Sequence, residues 1–449
     1  MPTPDAVADR PPDPDERGTS GALRPQVRPR EVFAWAMYDF ANSGYTTVVL
    51  TAVFNAYFVS VVAQQAPWAT FAWTATLGVS YLAVMLLGPI VGAYADATAS
   101  KKRILLLVTA GCVIATAGLF FARRDALALA VCLVIVSNFC YAIGENISAA
   151  FLPELAKPDA LGRVSGWGWA WGYVGGLIAL ALCLAWLATA EARGMTAVEA
   201  VPMTNLITAG LYALGASATF LWLRERAVAD KRIGGSGPDA PWSHAWTRLA
   251  ATWRMAARYR DLLAMFLCGA LYQAGVATVV ALAAIYAQAA MGFQTRDTLL
   301  LVLVVNVTAC AGALGFGYVQ DAIGKKRALA VTLLIWIAMI AFAWFATTRT
   351  LFWVAANLAG IAMGSSQSAG RALVAYFSPA ERAAEFFGLW GMATRLAAIL
   401  GPLTYGAVSW VSGGNHRLAM LLTGIFFIAA LAALSRVDEA RGRQAALAG

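Results

Sequence analysis

Four charged residues stand inside stretches that are otherwise apolar. The acids are Asp39, in WAMYDFANSGY, and Glu145, in YAIGENISAA, and the bases are Arg371 and Arg395. A charge at the centre of a membrane costs at least about 2.5 kcal/mol, so such residues pair with one another or serve a function. The chemistry open to these four is ion pairing, proton transfer and the binding of charged groups on a small solute.

The composition indicates which elements hold these charges. The chain has 449 residues, of which 60% are hydrophobic and only 13% charged, whereas a soluble domain is about 25% charged. Its apolar runs are about 20 residues long, as a membrane-spanning helix requires, and the alternating segments of a membrane barrel are not apparent. The sequence therefore predicts an all-α integral membrane protein.

The apolar runs predict twelve transmembrane helices in two six-helix bundles. The predicted spans are 33–62, 70–94, 104–122, 126–151, 164–188, 203–223, 261–290, 298–319, 328–346, 350–374, 385–410 and 417–435. These spans divide the chain into two six-helix bundles, at 33–223 and 261–435, joined by a cytoplasmic linker at 224–260. A disordered cytoplasmic tail is predicted at 1–32 and a second cytoplasmic tail at 436–449. Within the linker, Trp242, Trp246, Leu249 and Trp253 recur at helical spacing, which favours an amphipathic helix on the membrane surface.

The distribution of Lys and Arg predicts the orientation. With both termini in the cytoplasm, that side holds 26 of the 33 Lys and Arg residues, as the positive-inside rule requires. We expect the cell (inner) membrane as the location. The net charge of +9 is explained by these loops, so we expect no nucleic-acid partner.

The chain contains an internal repeat. GAYADATASKKR follows the second span and GYVQDAIGKKR follows the eighth, and each has Gly, three residues, Asp and then a basic run. Parallel repeats of this kind indicate two pseudo-symmetric bundles and a transporter with its site between them.

These loops resemble the signature of the major facilitator superfamily. YDFANS at 38–43, FLPELA at 151–156, GRVSGWGWAWGYVGG at 162–176, QSAGRALVAYFSPAERAAEFFG at 367–388 and AILGPL are similar to motifs of the autophagy-linked vacuole effluxer branch. The resemblance implies the twelve-helix fold and a transport role. Fungal relatives are thought to release amino acids from the vacuole.

The opposed charges favour a zwitterion, such as an amino acid, as the solute. Its ammonium would pair with Asp39 or Glu145 and its carboxylate with Arg371 or Arg395, because the planar guanidinium binds both oxygens. The candidate substrate and coupling residues are Asp39, Asn42, Glu145, Asn146, Gln273, Gln367, Arg371 and Arg395, and the candidate cavity aromatics are Tyr38, Tyr45, Trp169, Tyr173 and Tyr272. The alternative is that the charges pair only with one another and hold the two bundles closed on one side. Asp39, and after it Glu145, is the candidate proton carrier.

The loop signatures predict a cytoplasmic gate. Asp96 and Asp321 are expected at helix ends, where each accepts hydrogen bonds from the N-terminus of a neighbouring helix. The basic runs are expected to pair with acids such as Glu154. The gate residues are Asp96, Lys101, Lys102, Arg103, Asp321, Lys325, Lys326, Arg327, Glu381 and Glu385.

The sequence does not favour an enzyme. It has no nucleophile-elbow, zincin or phosphate-loop pattern, and its six cysteines lack metal-ligand spacing. We therefore expect no catalytic residue, metal or cofactor, and a monomer whose partners are a small solute, lipid and protons. The predicted function is secondary active or facilitative transport by alternating access. The alternatives are efflux of lipophilic compounds and, less favoured because the tails and loops are short, a non-transporting receptor or scaffold.

Overall fold

The chain is almost entirely helical in the computed structural model, which describes residues 19–227, 258–293 and 295–448. The main helices are α1 Pro29–Tyr45, α2 Ala69–Thr98, α3 Lys101–Gly118, α4 Leu127–Ala149, α5 Leu161–Ala192, α6 Ala197–Trp222, α7 Arg260–Met291, α8 Thr295–Ile323, α9 Lys325–Phe345, α10 Arg349–Phe377, α11 Ala383–Val411, α12 His416–Ser435 and α13 Glu439–Leu447. Short helical segments continue the first span from α1 to Val62.

The predicted all-α membrane fold is confirmed. Eleven of the described helices are long and apolar enough to cross a membrane. The tenth predicted span corresponds to α10, which has 29 residues and is long enough but less apolar, because it carries a run of polar residues. These are Ser365, Ser366, Gln367, Ser368 and Arg371, and all but Gln367 are buried within the protein.

The helices pack as two halves, α1–α6 and α7–α12. In the N-terminal half α1 packs on α5 and α6, and α3 packs on α4 and α6; in the C-terminal half α7 packs on α11 and α12, and α9 packs on α10 and α12. The halves meet mainly along two helix pairs, α2 with α11 and α5 with α8. We call the side where α2 meets α3 and α8 meets α9 the basic face.

Glycines allow the helices of the two halves to approach closely. A Cβ at Gly388 would lie 2.6 Å from the carbonyl oxygen of Gly88, and a Cβ at Gly166 would lie 2.5 Å from the carbonyl oxygen of Ala313. A Cβ at Gly92 would clash with the backbone of Ala384. Only a residue without a side chain permits such backbone contact. These contacts form two seams, α2–α11 and α5–α8, in the part of the protein nearest the basic face.

The N-terminal segment differs from the predicted disordered tail. Ala22, Leu23 and Val27 are buried, and the amide of Arg24 donates to the carbonyl oxygen of Leu155 at 3.1 Å. These apolar side chains join the core, so the segment is ordered well before the predicted start of the first span. Residues 1–18, and the predicted amphipathic helix of the linker, lie outside the described residues.

The segments that follow the sixth helix of each half repeat one another. Glu225 accepts hydrogen bonds from the amides of Lys101 and Lys102, at 2.7 and 3.0 Å, at the start of α3. Glu439 accepts from the amides of Lys325 and Lys326, both at 3.3 Å, at the start of α9. A carboxylate is stabilised at a helix N-terminus by its unpaired amides and by the helix dipole. The internal repeat therefore includes the residues that follow the sixth helix of each half.

Candidate functional site

The first candidate site is an ion pair between the two halves. Nη1 of Arg371, on α10, donates to Oδ2 of Asp39, on α1, at 2.6 Å. Asp39 lies ten residues after Pro29, the first residue of α1, or about 15 Å along the helix. The two side chains are only 8% and 13% exposed. The pair therefore lies well inside the protein and joins an acid of one half to a base of the other.

Aromatic rings complete the surroundings of Arg371. Its guanidinium carbon lies 4.7 Å from the ring centroid of Trp35 and 5.3 Å from that of Trp169. The guanidinium also donates through Nε to the hydroxyl of Ser165 at 3.1 Å and through Nη2 to the Ser165 carbonyl at 2.8 Å. All of these contacts come from the N-terminal half. We call Trp35, Asp39, Ser165 and Trp169 the Arg371 cage.

Glycine in α5 makes room for this cage. A Cβ at Gly168 would lie 2.6 Å from Nη2 of Arg371 and 2.8 Å from the ring of Trp35, and it would clash with the carboxylate of Asp39. The glycine-rich run GRVSGWGWAWGYVGG thus allows α1 and Arg371 to lie against α5.

The second candidate site has the same design. Nη2 of Arg395, on α11, donates to Oε2 of Glu145, on α4, at 2.7 Å. The guanidinium carbon lies 5.6 Å from the ring centroids of both Tyr81 and Tyr141. This pair is more accessible, since the side chain of Glu145 is 33% exposed. Arg371 and Arg395 of the C-terminal half are therefore each held by an acid and two aromatic rings of the N-terminal half.

The sequence analysis named Trp169 but missed the other three aromatic partners, Trp35, Tyr81 and Tyr141, although two of them carry a signal. Trp35 precedes Asp39 by four residues, and Tyr141 precedes Glu145 by four. Residues at this spacing share one face of a helix. An aromatic residue one turn before an intramembrane acid is thus a usable pattern for a cation site. Tyr81 and Ser165 come from other helices and carry no such signal.

The predicted glutamines pair within the C-terminal half. Nε2 of Gln273, on α7, donates to Oε1 of Gln367, on α10, at 2.8 Å, and the reverse bond measures 3.1 Å. Gln367 stands four residues before Arg371 on the same helix. The amide pair therefore lies one turn from the Arg371 cage and fixes α7 against α10.

Three of the predicted cavity tyrosines hydrogen-bond within their own half. The hydroxyl of Tyr38 lies 3.2 Å from that of Thr109, and the hydroxyl of Tyr45 lies 2.8 Å from that of Ser137. Tyr272 donates to the Ser366 carbonyl at 3.4 Å. All three are fully buried, so the structure places them in helix packing.

The other predicted residues lie in different surroundings. Asn42 is buried and accepts from the hydroxyl of Tyr212 at 2.7 Å. Tyr173 packs on Trp169 and on α8 along the second seam. Asn146 is buried where α4 approaches α11, and its side-chain NH₂ has no acceptor among the described residues. A Cβ at Gly391 would lie 2.6 Å from its side-chain oxygen.

Asp96, one of the predicted gate acids, links the halves at the basic face. Its Oδ2 accepts from the amide of Glu385, at the start of α11, at 2.8 Å. The ammonium of Lys101 lies 3.6 Å from Asp96 and 2.6 Å from Glu154, and its side chain is fully buried. This cluster stabilises the α2–α11 seam at the basic face.

The second gate acid, Asp321, has the equivalent position. It accepts from the amides of Gly162 and Arg163, at the start of α5, both at 3.0 Å, and from Nε of Arg163 at 2.9 Å. Each acid therefore caps a helix of the opposite half. The two caps tie the halves together at the basic face.

The remaining gate residues have separate roles. The ammonium of Lys325 lies over the ring of Tyr376 at 4.6 Å. Lys102 and Lys326 donate to backbone carbonyls after the sixth helix of their own half, at Leu223 and Val437. Arg103, Arg327 and Glu381 are exposed at the basic face, and Glu385 is buried in an ion pair with Arg382 at 2.8 Å.

Asp321→Asn is expected to open the basic face. The change replaces charge-assisted hydrogen bonds to the start of α5, which contribute about 1.5–3 kcal/mol each to a folded arrangement. Spin labels at the exposed residues Arg103 and Arg327, one in each half, would report a larger long-distance population. The matched control is Asp125→Asn, at an exposed residue in the turn before α4. An unchanged distance distribution in Asp321→Asn would show that the cap does not hold the halves together.

The helix packing and the paired halves define a transporter fold of the major facilitator superfamily. Solved structures with this fold include the human organic anion transporter MFSD10 (TETRAN), with TM-score 0.69, 15% identity, and coverage of 90% of this chain and 99% of that one. The proton:xylose symporter XylE gives TM-score 0.71, 15% identity, and coverage of 92% and 97%. At this identity the likeness establishes the fold alone.

The chain belongs to the vacuole effluxer Atg22-like family, whose sequence profile matches residues 58–447. It is 27% identical over 411 residues to the uncharacterized MFS-type transporter YxiO of Bacillus subtilis, covering 90% of this chain and 94% of that protein. It is 23% identical to autophagy-related protein 22 of Yarrowia lipolytica, covering 70% of this chain and 57% of the fungal protein. The predicted family is confirmed, and the chain is a multi-pass membrane transporter.

Proposed function

We propose that this transporter moves a small zwitterion, such as an amino acid, across the membrane by alternating access. The observation that carries the proposal is the pair of interior ion pairs between the halves, Asp39–Arg371 and Glu145–Arg395. Each has its acid on the N-terminal half and its base on the C-terminal half.

Alternating access requires these pairs to separate when the basic face opens. Separation leaves a carboxylate and a guanidinium on opposite walls of the same opening. A buried charge without a partner is strongly unfavourable. A zwitterion offers an ammonium for the carboxylate and a carboxylate for the guanidinium, so it can replace the lost partners. Each of these charged side chains therefore pairs either with the oppositely charged residue of the other half or with the solute.

The same residues suit proton coupling. When Arg371 moves away, the carboxylate of Asp39 loses its counter-charge in a weakly hydrated interior, and protonation becomes more favourable. Asp39 is the first proposed proton carrier and Glu145 the second. We further propose that the protein acts as a monomer in the cell membrane, surrounded by lipid, with the basic face and both termini in the cytoplasm.

Uptake into proteoliposomes tests the proposal. Purified protein is reconstituted, and a panel of labelled amino acids is offered with and without an imposed pH gradient. We expect saturable uptake of at least one amino acid, at least tenfold above protein-free liposomes. Correctly folded protein that takes up no amino acid, but extrudes lipophilic dyes, would contradict the zwitterion and favour efflux of lipophilic compounds.

A further inference from the structure

We propose that the Arg371 cage is a ligand site for a guanidinium or methylated ammonium group, and that Arg371 is its tethered occupant when the basic face is closed. The proposal rests on the proposed transport function and narrows the solute to zwitterions that carry such a cation. The C-terminal half supplies the occupant and the N-terminal half supplies the whole of the site.

The contacts of Arg371 define what the site recognises. The guanidinium is paired with one carboxylate at 2.6 Å, donates twice to Ser165 at 3.1 and 2.8 Å, and lies within 5.3 Å of two indole centroids. A carboxylate alone would accept any cation. Two indole faces favour a cation that is delocalised or methylated, because such a cation is weakly hydrated and stacks on aromatic rings.

The cage also has a polar group that Arg371 does not use. The indole N–H of Trp169 is buried and has no acceptor among the described residues. A buried donor without an acceptor is unfavourable, and Arg371, which has only donors, cannot satisfy it. A ligand with a carboxylate near its cationic group supplies that acceptor. This observation favours a zwitterion over a simple cation.

The second ion pair repeats this arrangement. Arg395 is held by Glu145 and lies 5.6 Å from the centroids of Tyr81 and Tyr141. The N-terminal half thus contains two acidic aromatic cages, each filled by an arginine of the other half. Of the two, the Arg371 cage has indole faces, which bind cations more strongly than phenol rings.

Removing the tethered occupant tests the cage directly. Purified Arg371→Ala is titrated with ethylguanidinium, tetramethylammonium, ethylammonium and acetate, and tryptophan fluorescence is followed. We expect saturable binding of the first two at least tenfold tighter than that of ethylammonium, and none of acetate. The further change Trp169→Leu should weaken binding of ethylguanidinium at least tenfold. The matched control is Arg349→Ala, which removes an arginine whose side chain is 57% exposed and should create no such site.

A second measurement uses the intact protein, in case Arg371→Ala does not fold. Spin labels at Arg103 and Arg327 report opening of the basic face. Millimolar tetramethylammonium should increase the long-distance population by competing with Arg371, and an equal concentration of ethylammonium should not. Equal responses to the two cations, or a response that Trp169→Leu leaves unchanged, would contradict the proposal that the Arg371 cage is a ligand site.

The two proposals fail in different ways. Cation binding to the cage without uptake of any amino acid would overturn amino-acid transport and retain the cage. Uptake of amino acids without cation selectivity at the cage would overturn the cage and retain transport.

Discussion

Asp39→Asn is expected to lower the stability of the protein by about 3–5 kcal/mol, which is the usual cost of leaving one member of a buried ion pair without its partner. The side chain of Arg371 is 8% exposed, and its guanidinium would lose its only carboxylate contact among the described residues. Uptake should fall at least 100-fold. The measurements are the thermal unfolding midpoint in detergent and initial uptake rates in proteoliposomes.

A double variant separates the structural role of the pair from its transport role. Asp39→Asn with Arg371→Gln removes both charges, so most of the lost stability should return while uptake stays low. Asp125→Asn, at an exposed turn, is the control for loss of a carboxylate. A single Asp39→Asn variant that unfolds at the wild-type temperature would contradict the pairing. One that keeps gradient-driven uptake would exclude Asp39 as the proton carrier.

Gly92→Val is expected to force the basic face open and to reduce uptake at least tenfold. A side chain at this position meets the backbone of Ala384 and lies 3.0 Å from Cα of Glu385, at the start of α11. Backbone atoms cannot move aside as a side chain can, so the first seam must separate. Overpacking of this kind costs about 1–3 kcal/mol. Spin labels at Arg103 and Arg327 should show a longer mean distance.

The same helix provides the control. A Cβ added at Gly78, also on α2, would have no atom of another helix within 4 Å. Gly78→Val therefore adds the same β-branched residue to the same helix without touching the other half. It should leave uptake within twofold of the wild type. Equal losses in the two variants would show that valine harms α2 itself, and that the seam is not responsible.

The sequence was sufficient to predict the fold and to find the charged residues of the candidate sites. An acid or a base in an apolar run is conspicuous, so Asp39, Glu145, Arg371 and Arg395 could be found without a structure. Which acid meets which base could not be predicted, because it depends on how α10 and α11 pack against the other half. Counting residues along a helix gives depth but not the direction of its neighbours.

For the aromatic residues, the sequence did not predict which side chains pack between helices and which face a cavity. Tyr38 and Tyr45 lie within six residues of Asp39 in the sequence and were predicted to line a cavity, whereas their hydroxyls bind Thr109 and Ser137 within the same half. Hydropathy does not distinguish a tyrosine that packs from one that faces a cavity. The capping acids Glu225 and Glu439 were missed because they lie just beyond the predicted spans, where the repeat is not visible in the sequence.

The low apolarity of α10 has a consequence for biosynthesis. Among the described membrane-length helices, α10 is the one that is less apolar than the eleven candidate membrane spans. Arg371 adds to the insertion cost, which reaches about 2.5–3.5 kcal/mol for an arginine at a helix centre. Asp39 lies on α1, which is synthesised before α10, so its carboxylate is in place when α10 is made. The carboxylate of Asp39 is therefore available to pair with Arg371 when α10 enters the membrane.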